Sequence, residues 1–190
     1  MKLPIGQVKR SVCLGVAMAG LAVMTGCTVI PAASIKPGFS NVSQVEQSMG
    51  KPDMTWRNSQ GKVIQAAYSD QPGGFTTFMV YFNDQGVVTG IDQVMSNKNF
   101  AKIKNGMDGN QVHKILGPER SSDHFASLNQ IDWNYGYCSG NDGREVFSVS
   151  FDDRTMKVNG SVTTPDQLYM FGGNEEGRCE QYSQGETYVR

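Results

Sequence analysis

The chain has 190 residues and nearly balanced charge, with 17 Lys and Arg against 18 Asp and Glu and a formal net charge of −1. That length permits one medium domain or two small ones. Because the chain has no basic cluster, it lacks the electrostatic footprint of a nucleic-acid-binding protein, and we expect no nucleic acid among its partners.

The amino-terminal segment has the layout of a secretion signal. Lys2, Lys9 and Arg10 precede an uncharged and mostly apolar run of 16 residues at 11–26. A basic stretch followed by a short apolar run is typical of a signal peptide. The run is shorter than the roughly 18–20 apolar residues that cross a bilayer as a helix, so a retained membrane helix is the less favoured alternative.

The run ends on Met24-Thr25-Gly26-Cys27, which resembles the lipobox of bacterial lipoproteins. The resemblance implies cleavage before Cys27 and addition of diacylglyceryl and palmitate-type chains to its thiol. Two or three acyl chains form a stable anchor where one is marginal. Thr28, rather than Asp, follows the cysteine, and by the sorting rule of enteric bacteria this predicts the outer membrane. We expect the mature domain in the periplasm; surface exposure and a signal cut elsewhere stay open as alternatives.

Cysteine usage predicts one disulfide bond. Of the four cysteines, Cys13 leaves with the signal and Cys27 takes the lipid. Cys138 and Cys179 remain in an oxidising compartment, where a pair of this kind is expected to be bonded. The bond would clip the carboxy-terminal segment to the rest of the domain. The alternative is two free thiols.

The rest of the chain repeats itself at a spacing of about 67 to 70 residues. The matching segments are IKPGF at 35–39 with IKNGM at 103–107, QVEQSMGKP at 44–52 with QVHKILGP at 111–118, and VYFND at 80–84 with VSFDD at 149–153. Their order is the same in both copies, which indicates an internal duplication.

Each copy begins with a short helix that carries its own start and stop signals. Asn41 and Asp108 stand at N-cap positions, and Gln44 and Gln111 follow three residues later, as a capping box requires. A glycine and then a proline end each helix.

Strand signals follow each helix. Runs rich in β-forming residues lie at 63–68, 75–82 and 87–94 in the first copy and at 131–137, 145–151 and 156–162 in the second. We therefore expect an α+β protein of two tandem ααβββ units, each with short helices packed on a three-stranded antiparallel sheet. The expected divisions are a signal peptide (1–26), a lipidated tether (27–34), the two units (35–98 and 99–171) and a polar tail held at Cys179 (172–190).

The second copy resembles the BamE family, also called the SmpA/OmlA lipoprotein domain. The matching motifs are GMD at 106–108, QV at 111–112, LGP at 116–118 and WNY at 133–135. The resemblance implies an ααβββ fold and an accessory role in the machinery that assembles β-barrel proteins in the outer membrane. The tandem arrangement is similar to that of β-lactamase inhibitory proteins, which implies the alternative of a periplasmic inhibitor or stress-related binding lipoprotein that grips an enzyme.

No catalytic or metal-binding constellation is evident. The two histidines, His113 and His124, have no metal-ligand spacing, and we expect both to be solvated. Asp152 and Asp153 fit the chemistry of a turn. We therefore expect a non-catalytic protein without cofactor or metal.

Aromatic residues on the strands are the candidates for a partner interface. Trp133 and Tyr135 share one face of a predicted strand because side chains alternate along it. Aromatic residues are enriched in protein interfaces. Core packing is the alternative, and it is the preferred one for Trp133.

Overall fold

The computed structural model describes residues 32–139, 143–167 and Cys179. The predicted signal, the lipobox with Cys27 and the predicted tail other than Cys179 lie outside the described residues. The elements, in chain order, are α1 (Val42–Met49), β1 (Met54–Arg57), β2 (Val63–Ser69), β3 (Thr77–Phe82), β4 (Val88–Gln93), α2 (Asn97–Phe100), α3 (Gly109–Leu116), β5 (Ser121–Phe125), β6 (Gln130–Ser139), β7 (Gly143–Asp152) and β8 (Lys157–Pro165).

The predicted pair of ααβββ units is wrong, because the described chain is mostly β. Strands β1–β4 form one four-stranded antiparallel sheet, here the first sheet, and β5–β8 form another, the second sheet. The helices are few and short. The two strands missing from the prediction are the edge strands β1 and β5. β1 alternates half-buried and exposed positions but has only four residues, which is too short for a recognisable pattern, and every residue of β5 is exposed.

The predicted helix starts are confirmed. The Asn41 side chain accepts a hydrogen bond from the Gln44 backbone N–H at 3.1 Å, and the Gln44 side chain accepts one from the Asn41 N–H at 3.0 Å. Asp108 and Gln111 form the same reciprocal pair, with both distances at 2.9 Å. The two halves of the chain therefore begin their main helices with the same local structure.

The turn before each main helix is also attached to the sheet in the same way. The Gly38 N–H donates to the carbonyl oxygen of Val88, at the start of β4, at 2.8 Å. In the second half, the Gly106 N–H donates to the carbonyl oxygen of Val158, near the start of β8, again at 2.8 Å. The sequence repeat thus corresponds to a repeat in hydrogen bonding.

The first sheet is buried on both faces. Helix α1 and the 3-10 turn Ala32–Ser34 cover one face, where Val45 of α1 has no exposed surface. The residues of this small core are Ala32, Ile35, Val45, Ala66, Tyr68, Phe78, Val80, Phe82 and Val88. Ala32, which the sequence assigned to the tether, is therefore part of the packed structure.

The larger core joins the two halves of the chain. It contains Ala67 and Met79 from the first sheet, Leu116 from α3, and Tyr135 and Phe151 from the second sheet, among others. At the end of α3, Gly117 has a φ of +79°, and a Cβ there would come within 2.7 Å of the Thr77 side chain. Helix α3 therefore sits directly on the first sheet, and the two halves meet at a defined junction.

Candidate functional site

A shallow cleft lies at this junction, between the edge strand β1 and helix α3. It has a volume of about 210 Å³, and its lining residues are Met54, Thr55, Trp56, Asn110 and His113. Three of them come from the first half of the chain and two from the second. The cleft therefore depends on the packing of the halves against each other.

Trp56 forms the wall of the cleft on the side of the first sheet. Its side chain is half-buried against the larger core, and its indole N–H donates to Asn110 Oδ1 at 2.9 Å. Among the described residues, β1 pairs only with β2, so Trp56 lies at the edge of the sheet. This hydrogen bond joins the indole to α3 and orients the ring beside the opening.

His113 forms the opposite wall and is stacked on Trp133. The two ring centroids are 4.2 Å apart and the planes differ by 6°, and the ring of Phe151 lies 4.5 Å from that of Trp133. His113 Nε2 lies 2.8 Å from Glu119 Oε2. Since an ionised carboxylate only accepts, the imidazole donates in this pair. The wall is thus a fixed aromatic stack with a half-buried carboxylate at its end.

Gly109 leaves space for the Trp133 ring, and a side chain at this position should lower the free energy of unfolding. A Cβ on Gly109 would lie 2.6 Å from Cη2 of the Trp133 ring. We expect Gly109→Ala to displace the indole. Overpacking of this kind costs about 1–3 kcal/mol, and the gain in helix propensity offsets up to about 1 kcal/mol of it. Urea denaturation should therefore show a lower free energy of unfolding. Gly160→Ala is the control because a Cβ there meets nothing within 4 Å. Equal stability of the Gly109 and Gly160 variants would contradict this packing.

The His113–Glu119 pair should make stability depend on pH. The hydrogen bond from His113 lowers the pKa of Glu119 below its ordinary 4.5, against the opposing effect of burial. Because the folded-state pKa is depressed, the stabilisation is present above pH 4.5 and is lost as the pH falls through the lower folded value. A half-buried pair of this kind contributes up to about 1 kcal/mol.

We expect Glu119→Gln to reduce the loss of stability on acidification in pH-dependent denaturation. Glu46→Gln, the same change at an exposed position of α1, serves as the control. An unchanged acid slope in the Glu119 variant would rule out this contribution.

The two aromatic residues predicted as an interface have different environments. Trp133 is half-buried and faces His113. Tyr135 has no exposed surface, and its hydroxyl has no hydrogen-bond partner among the described residues. Burial raises the pKa of Tyr135 well above 10, so the hydroxyl stays protonated. Tyr135 is therefore a core residue in this chain and offers no surface to a partner.

The remaining predicted residues are placed as follows. Cys138 and Cys179 form a disulfide across a sequence separation of 41, which confirms the predicted bond and excludes the alternative of free thiols. Cys27 lies outside the described residues. His124 lies on the exposed strand β5, and its Nε2 is 3.2 Å from Asp153 Oδ2.

Asn110 and Glu119 were not predicted from the sequence as residues of a site, and His113 was expected to be solvated. One signal was available, because Asn110 and His113 are three residues apart and so lie on one face of α3. Their neighbours Trp56 and Trp133 come from distant strands, so only the tertiary packing reveals the cleft.

Within residues 32–139 and 143–167, no group of three or more His, Cys, Asp or Glu side chains is arranged to hold a metal ion. Nor does any helix in the described part of the chain have the length and hydropathy needed to span a membrane.

Comparisons with known proteins add little to this geometry. No family model matches the chain, and no curated protein matches it. Among solved structures, a DUF4309 family protein (YjgB) from Bacillus subtilis is similar at 10% sequence identity over 70% of this chain and 82% of that chain, with a TM-score of 0.27. That likeness assigns neither fold nor function here, and the resemblance to the BamE family stays a prediction from the sequence.

Proposed function

We propose that this chain is an outer-membrane lipoprotein that acts as a non-catalytic, protein-binding accessory. A signal is removed before Cys27, acyl chains on that cysteine anchor the protein, and the mature domain works in the periplasm. The lipobox-like sequence supports the anchor. The Cys138–Cys179 bond supports the compartment, because disulfides persist in oxidising environments such as the periplasm.

The observation that carries the binding role is the cleft between β1 and α3. Its walls are two half-buried aromatic groups, Trp56 and the His113–Trp133 stack, each fixed by a contact that crosses between elements. Pre-ordered aromatic side chains give a partner a large contact area at small entropic cost, and tryptophan is enriched at interface hot spots. Both features suit recognition of a protein surface or segment.

Two kinds of partner fit this surface. If the resemblance to the BamE family extends to function, the partner is the β-barrel assembly machinery of the outer membrane. The alternative is a periplasmic enzyme held by both halves of the chain, and it is favoured by the fact that the cleft draws residues from both halves. The identity of the bound protein separates the two.

Site-specific photo-crosslinking tests the proposal. A photoreactive residue in place of Thr55 lies on the exposed rim of the cleft, and the same residue in place of Thr89 lies on β4, at the opposite edge of the same sheet. We expect one protein to be captured from Thr55 but not from Thr89, and less of it when Trp56→Ala is added. A partner in the outer membrane should also be lost with Cys27→Ala.

The outcomes are distinct. Capture of a β-barrel assembly component favours the BamE-like role, and capture of a soluble enzyme favours the inhibitor. Equal labelling from Thr55 and Thr89, or no capture from either, would overturn the cleft as a binding surface.

A further inference from the structure

The most exposed large apolar side chain among the described residues, that of Phe39, follows the predicted lipidation site by only 12 positions in the sequence. Phe39 is 83% exposed, compared with 65% for Leu128, 53% for Val162 and 44% for Phe125. Single exposed apolar residues are common on protein surfaces. The position and the fixed conformation of Phe39 set it apart from the others.

The turn that carries Phe39 is held by hydrogen bonds on both sides. The Gly38 N–H donates to the Val88 carbonyl, and the Val88 N–H donates to the Ser40 carbonyl, both at 2.8 Å. The Lys36 N–H donates to Ser40 Oγ at 2.9 Å. The phenyl ring is therefore exposed in an ordered backbone conformation.

The second half of the chain buries its counterpart. In the repeat, Met107 corresponds to Phe39, and its turn makes the same Gly106-to-Val158 attachment. Met107 is half-buried and packs against the larger core. The equivalent turns therefore differ: Met107 packs against the core in the second half, and Phe39 is exposed to solvent in the first.

The predicted tether keeps this turn near the membrane. Cys27 precedes Ala32, which is 2% exposed in the smaller core, by only five residues. At no more than about 3.6 Å per extended residue, the folded domain begins no farther than about 18 Å from the acylated cysteine. Phe39 follows Ala32 by seven residues in the same segment. Between them, the Ile35 N–H donates a hydrogen bond to the Ala32 carbonyl oxygen at 3.1 Å, so the chain turns at residues 32–35.

We propose that the turn at residues 36–40 inserts Phe39 into the leaflet to which Cys27 is anchored, with the exposed Lys36 beside it at the level of the lipid phosphates. Segments that bind the membrane interface bury apolar side chains at the boundary of headgroups and acyl chains, and basic residues add attraction to anionic lipids. The insertion gives the tethered domain a fixed orientation on the bilayer. This inference rests on the proposed acylation of Cys27.

Spin labelling measures the contact. The acylated full-length mature chain is reconstituted in vesicles of phosphatidylethanolamine and phosphatidylglycerol, with a nitroxide on Phe39→Cys or, as the control, on Leu128→Cys. The introduced thiol is the reactive one, because Cys138 and Cys179 are bonded and Cys27 carries lipid. We expect the label at position 39 to lie about 5–10 Å into the headgroup and acyl boundary and the label at position 128 to lie in water.

A second label avoids replacing Phe39 itself. A nitroxide on Lys36→Cys should lie near the lipid phosphates when Phe39 is present and move into water when Phe39→Ser is added. Equal depth at positions 39 and 128 would show that the label drives the contact and would overturn the inference.

Mass spectrometry of each preparation separates the two claims. Acyl chains on Cys27 with the position-39 label in water would remove this inference alone. Cys27 without acyl chains would remove the inference together with the proposed anchor.

Discussion

Leu116→Ala is expected to lower the free energy of unfolding by about 2–5 kcal/mol. Leu116 has no exposed surface, and the core around it contains residues of both sheets. Its loss leaves a cavity that neither sheet can close without moving the other. Urea denaturation of the mature chain measures the change.

The same experiment tests whether the two halves unfold together. Trp56 belongs to the first sheet and Trp133 to the second, so fluorescence reports on both, and circular dichroism follows the strands. One shared core predicts coincident transitions by both methods. Lys114→Ala, on the exposed side of the same helix, should change stability by no more than about 0.5 kcal/mol. Two separated transitions would contradict the shared core.

Removing the disulfide should have an effect of similar size. Joint replacement of Cys138 and Cys179 by serine opens a loop with a sequence separation of 41, for which the chain-entropy estimate is about 4 kcal/mol. Native-state strain and residual structure in the unfolded chain reduce this figure in practice, so we expect a loss of about 2–4 kcal/mol.

Reductant provides the matched comparison for the disulfide. Dithiothreitol should bring the native chain to the stability of the double-serine variant and leave that variant unchanged. If the native chain and the variant are equally stable without reductant, the disulfide bond does not contribute to the free energy of unfolding.

Local signals in the sequence predicted the local structure well. Asn41 and Asp108 cap their helices because a side-chain oxygen there meets free backbone N–H groups, a rule that depends on only four consecutive residues. The strands β2–β4 and β6–β8 were also found, since runs such as residues 147–151 alternate apolar and polar side chains. The disulfide was predicted from the number of cysteines and from the oxidising compartment that the amino-terminal segment indicates.

The number of strands could not be predicted, because β1 is too short and β5 too exposed to be recognised from the sequence, unlike the other two edge strands, β4 and β8. Residues 121–125, SSDHF, pair in unbroken register with β6 yet bury none of their own side chains. Nothing in their hydrophobicity distinguishes them from a loop. The sheets consequently have four strands where three were expected.

The cleft could not be predicted from the sequence either, because its residues are far apart along the chain. Trp56 and Asn110 are 54 positions apart, and a packing geometry that the sequence does not encode locally brings them within hydrogen-bond distance. Tyr135 illustrates the reverse case. The sequence correctly placed it on the same face as Trp133, but its depth depends on the core that it shares with residues of α3 and the first sheet.

Mass spectrometry of the amino-terminal peptide from membrane-purified protein tests the proposed lipid anchor on Cys27. We predict a peptide that begins at Cys27 and carries a diacylglyceryl group with a further acyl chain, and a Cys27→Ala protein that lacks this modification and leaves the membrane fraction. A mature amino terminus at another residue, or an unmodified Cys27 in membrane-bound protein, would contradict the proposed anchor.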